Sequence, residues 1–165
     1  MYSPGERIVH PLHGAGTIAE IVKQRVDGRE KQYYVLLLTK QAVRILIPVD
    51  GCEAIGVRPL VDRDRAQALL ASFPQLETGS DASWNRRYRE NMLRLKSGRL
   101  EEVLGVVKGL MLRDRSVGLS TGERRMLSAA RQILFSELTA ALETDEEKLT
   151  KLLNEMLDRE QAAQA

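Results

Sequence analysis

The chain contains 165 residues, of which 43% are apolar, 29% charged and 4% aromatic, and its formal net charge is +2. This length allows one ordinary domain or two small ones, with packed interiors that consist mainly of aliphatic side chains. The small net charge excludes a polycation that binds nucleic acid through its bulk field, and the single cysteine, Cys52, excludes an internal disulfide framework.

Targeting and membrane signals are not found in the sequence. No apolar run reaches the roughly 18 residues of a membrane-spanning helix, and the first residues lack the charged and apolar regions of a signal peptide. Internal repeats are also not evident. We therefore expect a soluble cytoplasmic protein that does not bind membranes.

Residues 1–60 carry the pattern of a small β domain. Short runs rich in branched side chains alternate with segments of glycine, proline and polar residues, as is typical of strands joined by turns. Five strands in about sixty residues predict a barrel of the SH3 or Tudor type, which usually serves as a binding module. The predicted strands cover residues 7–10, 16–22, 33–38, 43–47 and 54–57.

The remainder of the chain is predicted to be helical. Residues 61–82 are expected to form a short helix, stopped by Pro74, and a polar linker. Residues 83–160 are expected to form a compact all-α domain of four amphipathic helices, followed by a frayed tail at 161–165. The predicted fold class is therefore α+β with two domains, an amino-terminal SH3/Tudor-like barrel and a carboxy-terminal helical domain.

Two segments predict helix starts. In each, a hydroxyl residue at the N-cap precedes a glutamate at the third helical position, which is the spacing of a capping box. These pairs are Ser120 with Glu123 and Thr144 with Glu147. Gly98 is expected to close the helix that begins at Trp84, because glycine readily takes the left-handed conformation that ends helices.

Trp84 is the only tryptophan, and it begins a helix with a regular apolar stripe. Trp84 and Tyr88 share one helical face with Met92 and Leu95. Such a stripe favours a buried anchor for Trp84. However, a ring at the very start of a helix can also project past the bundle and wedge against nucleic-acid bases. Both interpretations stay open at this point.

Positive charge is concentrated around this helix. Residues 84–99 contain six basic residues and one acidic residue, a local charge of +5, whereas residues 142–165 contain seven acidic and three basic residues. Arg124 and Arg125 follow the first capping box, in a turn where the helix dipole disfavours cations. Contact with phosphate would explain this placement, and the alternative is that both are exposed side chains without a function.

Patterns for catalysis or metal binding are weak. His10 and His13 flank a proline and have no evident third ligand, so we expect them to be turn residues and not a zinc site. No glycine-rich loop precedes a phosphate-binding helix, and no nucleophile has an oriented base. We therefore expect neither an enzyme nor a bound metal or cofactor.

Four groups of residues together resemble the CarD/CdnL family of bacterial transcription regulators, and the similarity extends over nearly the whole chain. The barrel by itself also resembles the polymerase-interacting module of transcription-repair coupling factors, whereas the last two groups are specific in combination. The groups are Val9-His10-Pro11-Leu12-His13-Gly14-Ala15-Gly16; Arg44-Ile45-Leu46-Ile47-Pro48 with Ile55-Gly56-Val57-Arg58; Trp84-Asn85-Arg86-Arg87-Tyr88; and Gly118-Leu119-Ser120-Thr121-Gly122-Glu123-Arg124-Arg125-Met126-Leu127.

The resemblance implies that the barrel docks on the β subunit of RNA polymerase and that the helical domain reaches promoter DNA. In the family, the tryptophan wedges into the minor groove at the upstream edge of the melted bubble and slows its collapse. Carried over by position, the expected DNA-binding residues are Trp84 as the wedge, Arg86, Arg87 and Arg89 as phosphate contacts, and Arg124 as a further basic contact. The expected polymerase-binding residues are Val35, Leu46 and Pro48, with Arg25 as a candidate polar contact because some relatives carry arginines where this chain has Leu46.

The expected partners are therefore RNA polymerase and promoter DNA, with weak affinity for DNA alone and a monomeric chain that reaches the nucleoid through the polymerase. A protein adaptor in which Trp84 is a core residue is the alternative. Replacement of Trp84 by alanine separates the two, because truncation of a buried tryptophan typically costs about 3–5 kcal/mol of stability.

Overall fold

The structure is a computed structural model that describes residues 1–39, 41–79 and 83–164. It divides into two compact units, Met1–Val61 and Asp62–Ala165. The first unit contains five strands and the second contains five helices, so that the predicted fold class is confirmed. No helix in these described ranges is both long enough and apolar enough to cross a membrane.

The first unit contains the strands β1 (Arg7–His10), β2 (Gly14–Val26), β3 (Arg29–Leu38), β4 (Arg44–Pro48) and β5 (Arg58–Pro59). They form a single antiparallel sheet with the order β4-β3-β2-β1-β5. Its interior contains fully buried aliphatic residues around Tyr34, whose hydroxyl accepts a hydrogen bond from the backbone N–H of Tyr2 at 2.9 Å. A bulge between Ile18 and Glu20 shifts the register between β2 and β3.

The hairpin formed by β2 and β3 extends further than predicted. Its turn consists of Asp27 and Gly28, whose φ angles of 52° and 76° are both positive, as in the two-residue turns that suit the strand twist. Residues 23–25 are exposed polar residues, so that this part of the hairpin lacks the apolar alternation by which strands are predicted.

The predicted fifth strand at residues 54–57 is wrong. Residues 54–56 lie in turns, Val57 is in irregular backbone, and β5 follows at Arg58–Pro59, where Arg58 pairs with Val9 of β1. Gly51 and Gly56 have φ angles of 79° and 99°, a conformation that ends an extended strand. The branched residues of this segment include Val57, which is buried in the core of the sheet without belonging to a strand.

His10 is expected to make the stability of the first unit depend on pH. Burial, and secondly the neighbouring His13, lower the pKa of His10 below its ordinary value of 6.5, and its Nδ1 accepts the backbone N–H of Leu12 at 3.0 Å. Since the unfolded chain binds a proton at higher pH than the folded chain does, stability is expected to fall as the pH drops below 6.5 towards the folded-state pKa. Denaturant unfolding, followed by NMR signals of this unit, should show this decrease.

His10→Asn provides the control for that pH dependence. The asparagine carbonyl can accept the same N–H but does not titrate, so the variant should lose less stability than the wild type over this pH range. Equal losses in the two proteins would contradict a role for His10.

The second unit contains the helices α1 (Arg63–Ala71), α2 (Trp84–Lys96), α3 (Leu100–Ser116), α4 (Thr121–Leu142) and α5 (Glu146–Gln164), with a 3₁₀ turn at Phe73–Gln75. They form a bundle around α4, and the buried side chains include Phe135 of α4, Leu104 of α3 and Leu153 of α5. Helix α1 packs against α4, so that the segment predicted as a short helix and linker belongs in part to the helical unit. The predicted linker residues 80–82 lie outside the described residues.

One of the two predicted capping boxes is present in the structure, and the other prediction is wrong. The box between Ser120 and Glu123 is present at the start of α4, as predicted. The prediction of Thr144 as the cap of α5 is wrong, because α5 begins at Glu146 and Asp145 Oδ1 accepts the backbone N–H of Lys148 at 2.8 Å. A carboxylate is an equally good cap, so the sequence did not distinguish the two positions. Helix α5 also continues through Gln164, where we predicted a frayed tail.

Candidate nucleic-acid interface

Trp84 is the first residue of α2, and its side chain is half-exposed, with 42% of its area accessible. The indole stacks on Tyr88, with ring centroids 5.1 Å apart and planes inclined by 20°. Its Nε1 donates a hydrogen bond of 2.8 Å to Oγ of Ser120, the N-cap of α4. The ring is therefore held on one face and at one edge while much of its surface is open to a partner.

The predicted apolar stripe of α2 lies against the bundle. Tyr88, Met92 and Leu95 are partly buried and pack on a cluster formed by α3 and α4. No residue of α2 is fully buried, and Trp84 continues the stripe beyond this cluster. Trp84 is therefore not a sealed core residue, in contrast to the alternative interpretation of the sequence. The cluster consists of Val106, Leu110 and Met126.

The three predicted phosphate contacts on α2 point in different directions. Arg86 is largely exposed and makes a 3.1 Å contact with Glu90 one turn later. Arg89 is also exposed. In contrast, the Arg87 side chain is only 15% exposed, and its Nη2 lies 3.7 Å from Oε1 of Glu123. Arg86 and Arg89 can reach a phosphate, whereas Arg87 is occupied inside the unit.

Glu123 is the buried acidic residue that contacts Arg87. Its side chain is 4% exposed and lies close to two cations, because Arg113 Nε approaches Oε2 at 3.6 Å while Arg87 approaches Oε1. Oε1 accepts hydrogen bonds from the backbone N–H and the hydroxyl of Ser120 at 3.4 and 3.0 Å. The sequence predicted Glu123 only as a helix cap, since nothing in its spacing indicated the two arginines.

Arg124 extends from the first turn of α4, close in sequence to the cap that holds Trp84. Its side chain is 63% exposed, with Nη2 4.0 Å from Asp114 Oδ1, a distance at which the ion pair is weak. Arg125 is also exposed. The starts of α2 and α4 therefore meet at Trp84, and both carry exposed arginines in their first two turns.

The predicted polymerase-binding residues lie on the sheet of the first unit. Val35 and Leu46 are cross-strand partners, and alternation places Pro48 on the same face. Leu46 is 46% exposed and Pro48 is exposed, whereas Val35 is 5% exposed and offers little surface to a partner. Arg25 pairs with Glu30 near the hairpin turn, on the face opposite to Val35, so the structure does not bring it together with the other three.

Comparisons with known proteins identify the family. Residues 2–61 match the family described as CarD-like/TRCF RID domain, and residues 68–154, more than half of the chain, match the family described as CarD, C-terminal domain. The chain belongs to the CarD family. The predicted resemblance is thus confirmed, and this family consists of transcription factors with an RNA polymerase-interacting domain at the amino terminus. A Bacillus subtilis (strain 168) protein named "Putative transcription factor YdeB" is 30% identical over 138 residues, which are 84% of this chain and 90% of that protein.

The two matched regions of this CarD-family chain follow the two structural units. The amino-terminal match ends at residue 61, where the β unit ends, and the second match spans the helices that hold Trp84 and Glu123. Within the described residues, no group of three or more histidine, cysteine or acidic side chains is placed to hold a metal ion.

Sequence analysis missed Leu37, which is 43% exposed. It lies on the same face of β3 as Val35, as strand alternation would have predicted.

Proposed function

We propose that this CarD-family chain binds the β subunit of RNA polymerase through its first unit and stabilises promoter open complexes through its second. In this proposal Trp84 wedges into the minor groove at the upstream edge of the melted bubble, while Arg86, Arg89 and Arg124 contact phosphates. The half-exposed indole, fixed by Tyr88 and Ser120 beside exposed arginines, is the observation that supports it.

The energetics of a wedge explain why it favours the open complex. Insertion of a ring at a base step of duplex DNA costs on the order of a few kcal/mol in lost stacking. At a junction that the polymerase has already opened, this stacking is already lost. Trp84 therefore binds the open state better than the closed one, and only such a difference in affinity can shift the population towards the open state.

The side chain of Trp84 is also conformationally restricted before DNA binds. An aromatic side chain has few rotatable bonds, and here the stacking on Tyr88 and the hydrogen bond to Ser120 restrict it further. Little conformational entropy remains to be lost on binding, which raises the affinity of a small contact.

The first unit compensates for weak binding to DNA. The three arginines that we propose as phosphate contacts are few, so the affinity of the second unit for DNA is low at physiological salt. Attachment of Leu46 and Pro48 to the polymerase raises the local concentration of Trp84 at the bubble. We propose these two exposed side chains, with Leu37 beside them, as the apolar part of that contact.

The proposal is tested by the lifetime of open complexes formed with purified RNA polymerase, measured after addition of a competitor over a range of salt concentrations. The intact chain should prolong the lifetime. Arg89→Ala should shorten it and lower the salt dependence of the effect by about 0.9 in the logarithmic slope, the contribution of one phosphate contact.

Arg159→Ala is the matched control for Arg89→Ala. Arg159 is an exposed residue near the end of α5, so the variant loses the same charge at a site that we do not place near DNA. It should leave the lifetime and its salt slope unchanged. Equal effects of the two substitutions would show that only net charge matters. If the intact chain fails to prolong the open-complex lifetime, the proposal is refuted.

A further inference from the structure

The hydroxyl of Ser120 connects the buried carboxylate of Glu123 with the indole of Trp84. Ser120 Oγ accepts the Trp84 Nε1–H at 2.8 Å and the backbone N–H of Glu123 at 3.2 Å, and it lies 3.0 Å from Glu123 Oε1. A hydroxyl has one proton to donate and two lone pairs to accept with. All three capacities of this hydroxyl are in use.

The carboxylate determines the direction of the hydroxyl proton. An ionised carboxylate is an acceptor only, so the contact between Ser120 and Glu123 requires the hydroxyl to donate. The two lone pairs then face the Glu123 N–H and the Trp84 N–H. Without the carboxylate, the hydroxyl could rotate and point its proton elsewhere. Its hydrogen bond with the indole N–H would then weaken.

Two arginines fix the carboxylate in turn. Arg87 comes from α2, the helix that carries Trp84, and Arg113 comes from the last turn of α3. Both approach Glu123, which belongs to α4, within 3.7 Å. The start of α2 is thus connected to α4 at two points, directly through Arg87 and Glu123 and through the indole and Ser120.

We propose that Glu123 is a positioning residue for Trp84, acting through the Ser120 hydroxyl and held by Arg87 and Arg113. This inference rests on the proposed function, in which Trp84 contacts DNA. It also gives Arg87 a different role from the predicted one, since Arg87 orients the ring by way of Glu123 and does not hold a phosphate. An ion pair that only stabilises the fold would leave the mobility of the indole unaffected.

Intrinsic fluorescence reports on this mobility directly, because Trp84 is the only tryptophan. Ser120→Gly removes the acceptor for the indole, while glycine is nearly as good a helix N-cap as serine. In the free full-length chain, we expect larger rapid motion in the fluorescence anisotropy decay and stronger quenching by acrylamide. The open-complex lifetime should become about fivefold shorter, the factor that corresponds to one hydrogen bond.

Three further variants complete the experiment. Ser120→Thr keeps the hydroxyl and should restore both readouts. Glu123→Gln keeps an oxygen that can complete the capping box, but its amide can also donate a hydrogen bond and carries no charge for the two arginines to hold. The direction of the Ser120 proton is then no longer fixed, so the mobility of the indole should increase and the lifetime should shorten. Asp62→Ala removes the cap of α1, where Asp62 Oδ1 accepts the N–H of Arg65 at 2.7 Å, and should change neither readout.

The outcomes separate this inference from the proposed function. If Ser120→Gly or Glu123→Gln leaves the anisotropy decay unchanged, the positioning role is refuted whatever happens to the lifetime. If the ring becomes mobile but the lifetime does not change, while Trp84→Ala abolishes the effect, the positioning role is refuted and the wedge stands. If Trp84→Ala itself has no effect on the lifetime, both proposals are refuted.

Discussion

Trp84→Ala is expected to abolish the prolongation of promoter open complexes while the chain stays folded. A base stacked on an aromatic ring contributes about 1–3 kcal/mol, so removal of the indole should shorten the lifetime at least about fivefold, to the value measured without the protein. Polymerase binding should persist, because it depends on the first unit. Lifetime assays and co-purification with polymerase measure the two quantities separately.

The stability of the same variant distinguishes a wedge from a core residue. The substitution removes the stacking on Tyr88 and one hydrogen bond, which together contribute about 1–3 kcal/mol to the folded state. A buried tryptophan would cost about 3–5 kcal/mol. Denaturant unfolding followed by circular dichroism of the helices decides between these values.

Leu93→Ala is the matched control for Trp84→Ala. Leu93 is another apolar residue of α2, it is 64% exposed, and it is absent from the stripe that packs on the bundle. Its truncation should change neither the stability nor the lifetime of open complexes. A similar loss of function in both variants would show that α2 acts through general apolar contact and not through the ring at its start.

Glu123→Ala is expected to cause the largest loss of stability, about 3–5 kcal/mol, which is typical when one partner of a buried ion pair is removed. The substitution removes the anion that Arg87 and Arg113 share, and it also breaks the capping box of α4. Domains of this size are stable by about 5–15 kcal/mol, so the second unit should be marginal but folded. Thermal and denaturant unfolding measure the change.

Glu90→Ala provides the comparison for Glu123→Ala. Glu90 pairs with Arg86 on the surface of α2, with 41% of its side chain exposed. Such pairs contribute less than about 1 kcal/mol, so this variant should unfold within experimental error of the wild type. If Glu123→Ala also loses less than about 1 kcal/mol of stability, its carboxylate does not stabilise the unit as a buried ion-pair partner.

Local sequence patterns predicted those parts of the fold that depend on neighbouring residues. The hydroxyl-to-glutamate spacing located the start of α4 at Ser120 correctly, because a capping box is completed within four residues. The stripe from Tyr88 to Leu95 was predicted from helical periodicity and packs on the bundle as expected. The shortest strand, β5, was misplaced because a branched residue such as Val57 can fill a core from irregular backbone.

The parts that escaped prediction depend on residues far apart in the chain. Arg87 was expected to face DNA together with Arg86 and Arg89, and only its approach to Glu123, on another helix, turns it inwards. Likewise, the burial of Val35 results from its neighbours on the adjacent strands. Whether a ring such as Trp84 is sealed or open depends on where the bundle ends, which periodicity alone does not reveal.

The helix that presents Trp84 has no fully buried residue, although it lies within a well-packed unit. Its outward positions can therefore accept many different residues with little effect on folding, since surface substitutions usually change stability by less than about 0.5 kcal/mol. Under the proposed function, natural variation at these positions would adjust how long a promoter is kept melted without unfolding the unit.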